Sequence, residues 1–103
     1  MDRRESGLVS IVVPVYNAGA FIAETIYSVQ AQTYRAWELL LVDDCSQDNS
    51  REIIRQECAR DERLRLVVQE ENGGTAKARN RGVQEACGQY LCFLDADDLW
   101  LPE

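Results

Sequence analysis

Four apolar runs, each parted from the next by a segment of helical periodicity, constrain this chain more than any other feature. Leu8–Pro14, Trp37–Val42, Leu64–Gln69 and Tyr90–Leu94 are rich in β-branched and large aliphatic residues and read as strands. The segments between them read as helices over about 19–32, 49–60 and 75–87. Phe21, Ile22, Ile26 and Val29 fall on one face of the first, and Ile53, Ile54 and Cys58 on one face of the second. Val83, Ala86 and Cys87 are the expected inner face of the third, with Gly88 as its stop. Residues 1–7 form a polar lead-in. The alternation βαβαβαβ predicts an α/β fold: an open, mostly parallel sheet with flanking helices and right-handed crossovers. A run as apolar as Tyr90–Leu94 suits a central strand buried on both faces.

Composition narrows the function. With 103 residues the chain builds one small domain, and 46% hydrophobic content marks it as globular. A net charge of −7 argues against a nucleic-acid partner, which needs a basic patch. The absence of histidine removes imidazole bases, Ser-His-Asp triads and His-based zinc sites. Cys45, Cys58, Cys87 and Cys92 have no Cys-X-X-Cys spacing and read as free thiols of a reducing cytosol. No stretch has the length of a membrane span, which points to a cytoplasmic location.

The polar residues gather where strands end. Asp95, Asp97 and Asp98 follow the fourth run at once. Like charges at that spacing repel, and burying them unpaired is costly. A hard divalent cation, Mg²⁺ or Mn²⁺, would resolve the conflict. Taken alone, the Asp-X-Asp step favours a solvated turn with Asp98 capping the next helix. Two further loops change that balance. Pro14–Asn17 and Asp43–Ser46 also fall at carboxyl ends of strands, the edge where open α/β sheets bind ligands. If the first and fourth strands are neighbours, Tyr16, Asp44 and Asp97 converge on one crevice at the switch in strand order.

Such a crevice matches a nucleoside diphosphate. Tyr16 offers a stacking face for a base, or packs at a strand end. Asp44 can accept from base or ribose donors, or with Asp43 cap the second helix. Asp95 and Asp97 can hold an ion that bridges two phosphates. Lys77 and Arg79 add positive charge, and Gly73-Gly74 permits close backbone approach. Lys77, Arg79 and Arg81 are spaced i, i+2, i+4, so Arg79 points away from the other two. Neither a Walker loop nor Gly-X-Gly-X-X-Gly is present.

Four motifs in order resemble the N-terminal part of family 2 glycosyltransferases of the GT-A fold. They are Val9–Asn17; Leu41–Ser46 with Asp48 and Ser50; Glu71–Gly74 with Ala78-Arg79-Asn80 and Gly82; and Gly88–Tyr90 running into Phe93–Asp98 with Trp100 and Pro102. The resemblance implies a donor-binding part over 8–103 and inverting transfer from a nucleotide-diphosphate sugar, UDP-linked above all, with Mg²⁺ or Mn²⁺. It places Pro14, Tyr16, Asn17, Asp44, Arg79 and Asp95 at the nucleotide. Asp97 becomes the principal metal ligand, with Asp95 as second. The acceptor is a glycan, lipid or protein.

Cys45 departs from the family, which has a small residue such as Gly or Asn there; it is expected to be tolerated and to make the loop thiol-sensitive. Family members continue past the acidic motif to acceptor-binding strands and a carboxylate that serves as general base. Residues 1–103 contain no match to that base, so the resemblance implies a base beyond Glu103 and leaves the catalytic residue unassigned here. This half is expected to be inactive alone and to expose a sheet edge open to self-association. In the longer protein the expected place is the cytoplasm, at the inner face of a membrane. Two other readings stand beside this one: a sugar-nucleotide nucleotidyltransferase, which would want a Gly-rich basic loop after the first strand, and a non-catalytic nucleotide-binding or assembly module.

Overall fold

The computed structural model describes residues 5–32, 34–71 and 73–95. Seven elements alternate along it: β1 (Glu5–Val15), α1 (Ile22–Gln30), β2 (Trp37–Asp43), α2 (Ser50–Cys58), β3 (Leu64–Val68), α3 (Gly74–Glu85) and β4 (Gly88–Phe93). The four strands form one parallel sheet in the order β3-β2-β1-β4. The α/β expectation therefore holds, and the first and fourth strands are neighbours.

Side chains alternate across this sheet and divide the core in two. Ile11, Val13 and Val15 of β1 join Leu39 and Leu41 of β2 beneath α1 and α2, where Ile22, Ile26, Val29 and Ile54 are fully buried. On the other face Val12, Leu40, Val42 and Val67 pack under Ala78 of α3. β1 and β2 are thus sandwiched between helix layers, which is why their apolar runs are almost unbroken.

Several expectations need correction. β4 is an edge strand, not a central one: it pairs with β1 alone among the described residues, and Tyr90, Leu91 and Phe93 are exposed. Apolar residues there cover an edge and not a two-sided core. Phe21 is exposed, because α1 starts after it and buries Ile22, Thr25, Ile26 and Val29. The buried face of α3 is Ala78 and Gly82; Cys87 lies outside the helix and is exposed. Gly82 lets α3 settle on β1, since a Cβ there would sit 2.3 Å from Val12 Cγ1.

Gly88 is not the helix stop but the first residue of β4, where a Cβ would meet Ser10 Oγ at 2.5 Å and Leu8 O at 2.7 Å. Residues 5–7, expected in the lead-in, belong to β1; Glu5 pairs with Gly88, and Gly7 takes φ +81° at an irregularity of the ladder. Pro14 lies inside β1 because β4 has already ended at Phe93, so no ladder bond is lost on that side.

The lower end of the sheet holds a buried polar network. Glu38 Oε2 accepts from Ser10 Oγ (2.6 Å) and from the Cys87 amide (2.6 Å), and Ser10 Oγ accepts from the Gly88 amide (2.7 Å). Arg65 lies 3.6 Å from Glu38 Oε1 and reaches Glu85. This network fixes where α3 hands over to β4. Its one visible sign is a lone acid inside Trp37–Val42.

Asp61 clips the turn before β3. It accepts from Arg63 Nε and Nη2 and from Gln30 Nε2 of α1, while the Arg63 guanidinium stacks on Trp37 at 3.8 Å. The Arg63 side chain holds the Asp61 carboxyl well below its usual value, at about 2. A depressed folded value stabilises the protein above the unfolded value near 4 and ceases to do so as pH falls through about 2. Asp61→Asn should cost on the order of 1–2 kcal/mol near neutrality and flatten the loss of stability between about pH 4 and 2. Urea unfolding at several pH values measures both; parallel curves for the two proteins would disprove the assignment.

Candidate active site

The loops after β1 and β2 are bound into one unit at the carboxyl edge of the sheet. Asp44 N–H donates to Val15 O (2.8 Å) and so continues the parallel ladder past the strand ends. Beyond that point three successive amides of the β1–α1 loop turn to side chains of the β2–α2 loop. Asn17 N–H meets Ser46 Oγ (2.9 Å), Ala18 N–H meets Ser50 Oγ (2.8 Å) and Gly19 N–H meets Asp48 Oδ2 (2.9 Å). Asn17 returns one bond, its Oδ1 accepting from Gln47 N–H at 2.8 Å. Its left-handed backbone, φ +48°, suits an asparagine. Tyr16 caps this unit with a half-exposed ring.

The two adjacent acids where β2 ends, Asp43 and Asp44, do different things, and neither caps α2. Asp43 is fully buried; its Oδ2 accepts from Ser46 N–H (3.0 Å) and lies 3.5 Å from Arg51 Nε. It shapes the loop. Asp44, 5% exposed, receives Gly73 N–H on one oxygen and Gly74 N–H on the other, both at 2.9 Å. A carboxylate from another loop thus caps the positive end of α3. Gly74 sits at φ +85°, a conformation that its lack of Cβ makes accessible. Between the two acids and Ser46, Cys45 holds φ +60°, which explains why a Gly or Asn is at ease at that position.

Across the switch point stands the acidic loop. Leu94 N–H donates to Val12 O (3.1 Å), so Asp95 leaves β4 beside the end of β1. Asp95 is exposed and pairs with Arg79 Nη2 at 3.4 Å, and the Arg79 guanidinium also lies over the Phe93 ring. Arg81 turns the other way, to Glu85 and Gln69. The i, i+2, i+4 spacing therefore splits Arg79 from Arg81 as expected, with Arg79 at the start of the acidic loop.

Asp97 and Asp98 lie outside the described residues, as do Trp100, Pro102 and Glu103. The description ends at Asp95, so the expectation of a general base beyond Glu103 falls outside it as well. Among the described residues no three Cys, Asp or Glu side chains cluster as a metal site. Asp95 fits a hard cation in kind: it is an exposed carboxylate whose ion pair with Arg79 is long.

The structure thus brings Pro14, Tyr16, Asn17 and Asp44 to one side of the β1/β4 switch, and Arg79 and Asp95 to the other. Asn17 uses its side chain inside the loop unit, and Asp44 has both oxygens already engaged. Residues that patterning undervalued are the buried hydroxyls of Ser46 and Ser50 together with Asp48; their sign was a turn dense in oxygen acceptors.

The profile of Glycosyl transferase family 2 matches residues 10–103. The E. coli UDP-Glc:alpha-D-GlcNAc-diphosphoundecaprenol beta-1,3-glucosyltransferase WfgD is 45% identical over 94 residues, 91% of this chain and 36% of that protein. S. aureus TarS 1–349, solved in complex with UDP, superposes with a TM-score of 0.81 at 32% identity over 88% of this chain and 28% of that one. The mannosyltransferase PcManGT of Pyrobaculum calidifontis, solved with GDP-Man and Mn²⁺, gives 0.86 at 30% identity over 96% and 30%. The chain spans between 11% and 37% of the length of the curated relatives it matches.

The Asp44 bridge makes a stability prediction of its own. Asp44→Ala leaves two amides at the start of α3 without their acceptor and should cost about 1–2 kcal/mol; Asp44→Asn, which keeps one oxygen, should fall between. Hydrogen exchange at Gly73 and Gly74 should quicken in step. Urea midpoints and protection equal to wild type in both variants would show that the bridge does not hold the helix.

Proposed function

The chain belongs to glycosyl transferase family 2, and we propose that it binds a nucleotide-diphosphate sugar at the β1/β4 switch point, for transfer of the sugar to an acceptor hydroxyl with inversion. One observation carries this: the switch in strand order separates a stitched Tyr16–Asp44 loop unit from an acidic loop paired with Arg79. Tyr16 stacks on the base, with Pro14 shaping the pocket wall. Asp44 keeps lone pairs beyond its two helix amides, and these accept a base or ribose donor. Arg79 offers its guanidinium to the diphosphate, with Asp95 as the partner it leaves.

Asp95 and Asp97 would hold Mg²⁺ or Mn²⁺, which would supply positive charge beside the diphosphate. UDP-sugars are the favoured donors, because TarS holds UDP and WfgD is named for UDP-Glc. A general base must take the acceptor proton. None of residues 1–103 is assigned that task, and the proposed base belongs to sequence beyond Glu103. The acceptor, a glycan, lipid or protein, has no assigned contact either. The 103-residue chain is therefore expected to bind donor and to transfer negligibly by itself.

Calorimetry with UDP, UDP-GlcNAc and GDP in the presence of Mn²⁺ tests the reading. Metal-dependent binding should appear, and Asp97→Ala should weaken it by about tenfold or more. Nucleotide binding that survives both chelator and Asp97→Ala would reject the metal assignment, and silence towards all three ligands would reject the donor site. Substantial transfer by residues 1–103 would reject a base beyond Glu103.

A second partner is proposed for the isolated chain. The outer edge of β4 exposes Tyr90, Leu91 and Phe93 and bears no charge, so a second copy can pair along it. Sedimentation over a dilution series should show mass rising with concentration, and Leu91→Lys should abolish the rise. A monomer at every concentration would dismiss the pairing.

A further inference from the structure

Among the side chains that anchor the Tyr16–Gly19 turn, Asp48 has a place that the others lack. Ser46 and Ser50 each accept one amide of that turn. Asp48 reaches the turn twice. Its Oδ2 accepts Gly19 N–H directly (2.9 Å), and its Oδ1 accepts both the amide (3.0 Å) and the hydroxyl (2.5 Å) of Ser50. By taking the hydroxyl proton, Asp48 turns the lone pairs of Ser50 Oγ toward Ala18 N–H, which binds there at 2.8 Å. Two of the three amide anchors behind Tyr16 therefore depend on one carboxylate. The fit at the turn is close: a Cβ on Gly19 would lie 3.0 Å from Asp48 Oδ2 and 2.1 Å from Asn49 Oδ1. The Ser50 hydroxyl bond favours the charged carboxylate and holds the Asp48 carboxyl below its ordinary value.

We propose that Asp48 is a positioning residue of the donor pocket: through the Gly19 amide and the Ser50 hydroxyl it holds the turn that presents Tyr16 to the nucleotide base. The inference rests on the donor-binding reading above and adds a residue that touches no ligand. Order in this turn is set before the nucleotide arrives, so the entropy of fixing it is not charged to binding.

Asp48→Asn isolates the effect. The amide keeps one acceptor oxygen, enough for Ser50 or for Gly19 but not for both. We expect nucleotide affinity, read by calorimetry with UDP and Mn²⁺, to fall about tenfold, the scale of one charge-assisted hydrogen bond. The Gly19 amide, followed by proton–nitrogen correlation spectra, should shift and exchange faster, while the urea midpoint stays near that of wild type. Affinity unchanged with the Gly19 amide released would overturn the positioning role and leave the donor site standing. Wild type that binds neither UDP nor GDP would remove the donor reading, and this inference with it. Asp48→Glu keeps both oxygens; collapse of the spectrum in both variants would assign Asp48 to overall stability and overturn the proposal.

Discussion

The carboxylate of Asp44 ties the upper end of this molecule together. It leaves β2 beside the end of β1, yet its two oxygens take up the first amides of α3, 29 and 30 residues further on. A helix start has unpaired N–H groups and partial positive charge, and a nearly buried carboxylate needs both. Each resolves the cost of the other. The consequence reaches beyond the pair, because α3 carries Arg79 and Arg79 meets Asp95. The loop after β2 thereby sets the position of a cation on the far side of the switch point. A nucleotide bound there would find its base side and its phosphate side already in register.

The two ends of the sheet spend their polar groups differently. At the lower end Glu38, Ser10 and Arg65 are satisfied by one another and by the α3–β4 junction. Those bonds close the fold and point inward. At the upper end the inward bonds are made chiefly by backbone amides of the loops, and the side chains left over, Tyr16 and Asp95, are exposed. A carboxyl edge built this way keeps its geometry while leaving faces free for a ligand, which is the arrangement that open parallel sheets favour. Cys45 at φ +60°, directly after the two acids, is a small local strain that this tightly bonded loop tolerates.

Much of this was legible in the sequence, because periodicity reports on burial. The first two apolar runs read as strands, and the structure shows β1 and β2 as strands covered on both faces. The same rule misplaced β4. The apolar stretch Tyr90–Phe93 of β4 lies at an edge, since an apolar run says that a strand forms but not how many neighbours it has. Phe21 and Cys87 were placed inward by spacing alone, and helix limits a residue or two away turned them out. The site residues were legible as types at strand ends. Their partners were not: nothing local in Asp43-Asp44 tells that one acid shapes its own loop and the other caps a helix far along the chain.

The edge position of β4 also bears on the chemistry. Pro14 has no N–H to donate, and β1 carries it where β4 has already stopped. The sheet therefore splits at that level: β1 runs on with β2 to Val15 and Asp43, while β4 ends at Phe93 and its last bond to β1 is Leu94 N–H to Val12 O. A crevice between two parallel neighbours needs such an early parting, and the proline makes it free of a lost ladder bond. Among the described residues the start of the acidic loop is held by the Leu94 ladder bond and the exposed Arg79–Asp95 ion pair, and the Tyr16 side by a lattice of amide bonds. Among the described residues the tightest bonding at this edge is thus on the Tyr16 side of the switch point.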